Sequence, residues 1–110
     1  MKRIDPAATP ELYRRVGWKP VRGSYFDERD GKHCGCLVGA MFADQNGIYP
    51  KPLRGPIRTP LHLDPMYVTG LMRGFDNYNL DEMDRCFELR LQGHADGLAA
   101  WAALEAAGMV

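Results

Sequence analysis

Residues 31–42 read GKHCGCLVGAMF, and the reading of this stretch decides the fold. A histidine and two cysteines, one residue apart, lead through glycines into an apolar segment. From Gly35 onward, Leu37, Val38, Met41 and Phe42 recur at helical spacing, and Asn46-Gly47 supplies a stop. A buried strand over residues 34–42 competes, because a short apolar run fits either element. The Ala40–Ala43 stretch and the Asn-Gly stop favour the helix. Just upstream, Val21 and Tyr25-Phe26 suit extended chain, and Glu28–Gly31 offers a turn with glycine where positive φ is easy. The expectation is a β-hairpin across about residues 20–34 that turns at glycine into a helix. Side chains two apart on a helix point roughly 200° away from each other. One of Cys34 and Cys36 is therefore expected to face the core and the other to be accessible.

Working outward, Thr9-Pro10-Glu11 opens a short helix, with Thr9 as cap and Pro10 in the first turn. Leu12, Tyr13 and Val16 give it an apolar side and Gly17 ends it. Residues 48–63 carry Pro50, Pro52, Pro56 and Pro60, a density that forbids a helix or a central strand. They read as a proline-rich surface loop without the PxxP spacing of an SH3 ligand. Asp64-Pro65 starts the next helix, with Tyr67, Val68, Leu71 and Phe75 inward and a break at Asp76-Asn77. Asp81 or Asn79 then caps one long helix over about residues 81–107, which Gly108 ends. Its predicted inward stripe is Met83, Phe87, Leu91, His94, Leu98, Trp101 and Leu104, with Glu82, Glu88 and Asp96 outward. The whole is a single α+β domain, residues 1–110: an N-terminal helix, a hairpin, then a mainly helical half ending in a long helix.

Three glycine pairs four residues apart interrupt these helices: Gly35/Gly39, Gly70/Gly74 and Gly93/Gly97. A glycine inside a helix costs about 0.5–1 kcal/mol relative to alanine, so the pairs call for a compensating contact. The expectation is flat patches where another helix or a backbone comes close, by analogy with the small-residue seams of membrane helices. The Gly93/Gly97 patch would receive a helix from the same chain or from a twin subunit.

The formal net charge is zero, from fourteen basic and fourteen acidic residues, but the layout is uneven. Six bases fall in residues 1–22, and eight acids in residues 64–110. The simplest use is internal, a basic arm against an acidic helical half, and the lack of a basic excess argues against nucleic acid as partner. An odd count of three cysteines makes a disulfide framework improbable. The N-terminus MKRIDPAATPE has no apolar secretory core, and no run is long enough to cross a bilayer, so a cytoplasmic protein without membrane contact is expected.

Metal and thiol chemistry are the sharp alternatives. His33, Cys34, Cys36 and His62 are candidate metal ligands, but zinc sites favour separated ligand pairs, and no CxxC or HxxxH occurs. A cysteine in the first turn of a helix gains nucleophilicity, so Cys34 or Cys36 with His94 as base is a minimal candidate catalytic pair. Against it, cysteine packs as a small hydrophobe, and a histidine on an apolar stripe is more often a core group. No phosphate-binding loop, nucleophile elbow or EF-hand spacing is present, and nothing calls for a cofactor.

The stretch from Gly17 to Phe42 resembles the front half of small uncharacterised bacterial and phage proteins. The matching residues are Gly17-Trp18, Gly23, Tyr25, Gly31, Cys36, Leu37, Gly39 and Ala40. The resemblance implies a bacterial or phage origin and a hairpin-then-helix start, and no activity. The function expected is that of a small non-enzymatic protein that binds a macromolecular partner or itself. The alternative is a small-molecule or metal-binding thiol site at Cys34/Cys36 with His94.

Overall fold

The computed structural model describes residues 2–46 and 63–110. A 3-10 turn, Pro6–Ala8, leads into α1 (Thr9–Val16), and three short strands follow: β1 (Lys19–Pro20), β2 (Asp27–Arg29) and β3 (Lys32–Gly35). Helices α2 (Leu37–Asn46), α3 (Pro65–Phe75), α4 (Glu82–Arg85) and α5 (Glu88–Ala106) complete an α+β domain. Residues 48–62 of the expected proline-rich loop, His62 included, lie outside the described residues, and Leu63 at its end is buried.

The start of α1 differs from expectation. Asp5 caps the 3-10 turn through Ala7 N, and the chain runs on into α1 with Ala8 at the cap position, so Thr9 is the first helical residue and is buried. Leu12, Tyr13 and Val16 face inward and Gly17 ends the helix at φ 72°, as its sequence requires.

The hairpin is shorter than expected and has an extra edge. β2 pairs antiparallel with β3, Asp27 opposite Cys34 and Arg29 opposite Lys32. Asp30 and Gly31 both take positive φ, 53° and 73°, the twist that a two-residue hairpin turn needs. Residues 19–20 are not part of the hairpin: they add β1 on the other side of β3, in parallel, Lys19 opposite Cys34. Pro20 has no N–H to give and so fits an edge strand. Val21, Tyr25 and Phe26 lie outside the strands.

The opening stretch is a strand running into a helix. Tyr13 Oη donates to Gly35 O at 2.8 Å, and Cys36 N donates to Ser24 O at 2.7 Å, fixing the corner from both sides. Gly35 closes β3 and is not helical. A Cβ there would fall 2.7 Å from Trp18 Cζ3, and one at Gly39 would fall 2.7 Å from the carbonyl carbon of Tyr25. The glycines let the Trp18 ring and the Tyr25 backbone lie directly on the chain.

The other two glycine pairs face each other. Gly93 and Gly97 of α5 lie on the backbone of α3 at Leu71 and Phe75, and Gly70 and Gly74 lie on α5 at Arg90 and His94. A Cβ at Gly97 would stand 2.6 Å from Phe75 N, and one at Gly93 would stand 2.9 Å from Leu71 N. Contacts advance in the same sense along both helices, so α3 and α5 run parallel, and residues 76–87 carry the chain back to the starting end. Asp84 holds that return. Its buried carboxylate takes Arg73 from α3 and Arg90, at 2.8 Å, from α5, and closes a capping box with Asp81.

This packing overturns the predicted stripe. The expected single helix breaks at Cys86-Phe87, and its inward face is Gly93, Asp96, Gly97, Ala100 and Leu104. Met83, Phe87, Leu91 and Leu98 are exposed at 67%, 41%, 40% and 39%, and Trp101 is half-buried, edge-on to Phe75. Asp96, expected outward, is buried, whereas Glu82 and Glu88 are exposed as their sequence positions predict. The reason is reach. Backbone-to-backbone contact requires the face without side chains, so the glycine face turns inward and the leucines turn out.

Gly97→Ala should therefore lower stability by about 1–2 kcal/mol, the clash outweighing the gain of up to ~1 kcal/mol in helix propensity. Urea unfolding followed by circular dichroism measures it. A midpoint at or above the parent value would show that the two helices do not touch at Gly97.

Candidate functional site

The thiol corner does not take the expected form. Cys34 and Cys36 are both buried, at 1% and 5% exposure, because Cys34 sits on a strand and Cys36 on the link to α2, so the helical geometry does not apply. Cys34 Sγ leans on Asp27 O at 3.5 Å. A cleft of about 210 Å³ lies beside it, with Lys19, Arg29 and Lys32 among its lining. Burial pushes the Cys34 thiol up, more than Arg29 and Lys19 pull it down. Burial likewise pushes Cys36 up to about 11, although backbone N–H groups of the α2 start oppose it. The corner thus favours protonated thiols, the reverse of an activated nucleophile.

The candidate base is elsewhere. His94 Nε2 pairs with Tyr78 O at 2.8 Å, on the return segment beside α5. His33 is half-buried with its ring against Phe26, centroids 5.6 Å apart. Among the described residues no three His, Cys, Asp or Glu side chains stand together as metal ligands do.

The polar groups missed from sequence act as ties. Arg3 donates to both oxygens of Asp96, at 3.0 and 2.9 Å, and Tyr67 Oη donates to the same carboxylate at 2.5 Å. Burial raises the Asp96 carboxyl, but the bonds from Arg3 and Tyr67 outweigh it and hold it below the usual range. Tyr67 is pushed up to about 12 by burial and by Asp96. Ile4 N donates to Tyr67 Oη at 3.0 Å, so the N-terminal arm is tied to both α3 and α5. Arg22 lies 3.9 Å over the Trp101 ring and donates to Phe75 O at 2.8 Å. The basic arm does meet the acidic half, through Arg3.

Among the described residues, the outward face of α5 is exposed. Phe87, Leu91, Ala95, Leu98 and Ala102 form a continuous exposed apolar line opposite the glycine face. A helix that is apolar all round belongs inside a larger structure. The signal was present in sequence, since α5 carries two apolar faces and α3 covers one. No helix among the described residues is long and apolar enough to cross a membrane.

Iodoacetamide at pH 8 should modify exposed Cys86 in the folded protein and leave Cys34 and Cys36 untouched until denaturant is added. Rapid native labelling of either buried thiol would restore the thiol-site reading. The Cys36 thiol titrates higher folded than unfolded, so its contribution is fully present below about pH 9 and is lost as pH rises through about 11. A loss of about 2–3 kcal/mol over that window should shrink in Cys36→Ser, read as the pH slope of unfolding free energy.

No family model, curated protein or solved structure matches the chain.

Proposed function

We propose that this is a non-enzymatic protein of the cytoplasm that acts by binding another polypeptide through the outward face of α5. The observation that supports it is the exposed line from Phe87 to Ala102 on a helix whose opposite face is already buried. Burial of apolar area is the main driving force of association, and side chains held on a rigid helix lose little freedom on contact. The charged residues of α5 between its ends leave the line clear from Leu91 to Ala102: Asp96 is held by Arg3 and Tyr67, and Arg90 turns to Asp84 with its guanidinium 5.0 Å from the Phe87 ring at the end of the line. The alternative, a reactive or metal-binding thiol, has less support, because burial raises both thiols and His94 is paired at Tyr78.

The test compares tagged parent protein with Leu91→Glu/Leu98→Glu in the cells that make it. Both positions are exposed, so melting temperatures should agree within about 4 °C. Polypeptides recovered with the parent, further copies of the chain included, should be lost from the double variant. Recovery of the same species by both proteins would sink the proposal.

A further inference from the structure

We infer that the occupant of this face is a second copy of the chain, with the two α5 helices antiparallel across a two-fold axis near Ala95. The inference rests on the binding role proposed for the face and adds the partner's identity. Its first support is spacing. At 3.6 residues per turn, Leu91, Ala95, Leu98 and Ala102 fall within a sector of about 60° on α5, and Phe87, at its N-cap, precedes them. Ala95 lies close to the midpoint of Leu91 and Leu98, and also of Phe87 and Ala102. A two-fold axis there sets Leu91 of each copy against Leu98 of the other, and Phe87 against Ala102. Large meets small at both ends, and alanine at the crossing permits close approach. A parallel pairing stacks phenylalanine on phenylalanine at one end and alanine on alanine at the other, crowded here and hollow there.

The helix ends supply the second support. α5 begins after Phe87 with no side-chain cap, and Glu88 in its first turn is engaged by Gln92 at 3.2 Å. The N–H donors of that turn thus lack a side-chain acceptor. Exposed Glu105 lies on the same line as Phe87, five turns further on. The antiparallel arrangement carries each Glu105 to the uncapped end of the other α5, where Arg85 also stands exposed. The opposite charges meet at both rims of the contact. A lipid surface fits less well, because α5 has no lysine and its face is flanked by glutamates. One helix pair, about 28 Å long for nineteen residues, is smaller than a standard interface and fits reversible association.

Sedimentation equilibrium of the purified full chain tests this from about 1 µM to about 1 mM. The mass should climb from 12.4 kDa toward twice that value. Leu98→Glu should stay monomeric throughout with an unchanged melting curve. Mixing Leu98→Lys with Leu91→Glu should restore the dimer, which a merely misfolded variant cannot do. Orientation is read by oxidative cross-linking in a Cys86→Ser background. Leu91→Cys mixed with Leu98→Cys should cross-link as a hetero-pair, and Leu91→Cys alone should not. A parent that stays at 12.4 kDa overturns the dimer, while the comparison of recovered polypeptides decides separately whether the face binds anything. Self-cross-linking of Leu91→Cys in a dimer of full mass overturns the antiparallel arrangement.

Discussion

Contact between the backbones of α3 and α5 sets the positions of nearly everything else in this molecule. Gly70, Gly74, Gly93 and Gly97 leave no side chain between the two helices, and a Cβ at any of them would collide with the facing main chain. Four glycines in helix interiors cost up to ~4 kcal/mol in propensity relative to alanine. The offset comes from what the close approach brings together: Tyr67, Leu71 and Phe75 become fully buried, and Phe75 meets Trp101 edge-on at 5.1 Å. Cα–H donors against carbonyls add a second-order attraction. Once the helices are this close, Tyr67 reaches Asp96, Asp96 collects Arg3, and Arg22 bridges Phe75 O and Trp101.

Asp84 shows how a parallel pair is closed. Parallel helices need a return, and this return is a short chain with a single helical turn. Its buried carboxylate is neutralised by Arg73 and Arg90, one from each helix of the pair. Burying one charge between two partnered ones is tolerable where removal of the carboxylate leaves two cations facing each other. The same logic governs Asp96, whose partners come from the N-terminal arm and from α3.

Local signals were legible in the sequence. Asp64-Pro65, Asp81, Gly17 and Asp30-Gly31 each announce a cap, stop or turn by their own backbone chemistry, and the structure uses them so. The α+β class follows from the order of those elements. The glycine pairs announced close contact, but not which partner would make it. What was not legible was orientation. Counting large apolar residues put Phe87, Leu91 and Leu98 inside, because periodicity cannot tell a face that packs by side chains from one that packs by backbone. The break at Cys86-Phe87 and the burial of both Cys34 and Cys36 depend on tertiary contacts with Arg73, Ser24 and Tyr13, each at least eleven residues away in sequence. The polar ties were missed for the same reason, since Arg3 and Asp96 are far apart in sequence.

The shared direction of α3 and α5 has an electrical consequence. Antiparallel neighbours cancel their peptide dipoles, whereas these two add. The positive ends lie together, where Asp64 caps α3 and Glu88 opens α5, while the negative ends are staggered: Arg22 takes the last carbonyl of α3 at Phe75, and α5 runs on to Ala106. Asp64 and Glu88 each bring a full negative charge to a helix end worth about half a positive one, so the side chains at the shared starting end more than offset the summed dipoles there. That offset is felt within about 10 Å at 0.1 M salt, and further in dilute buffer.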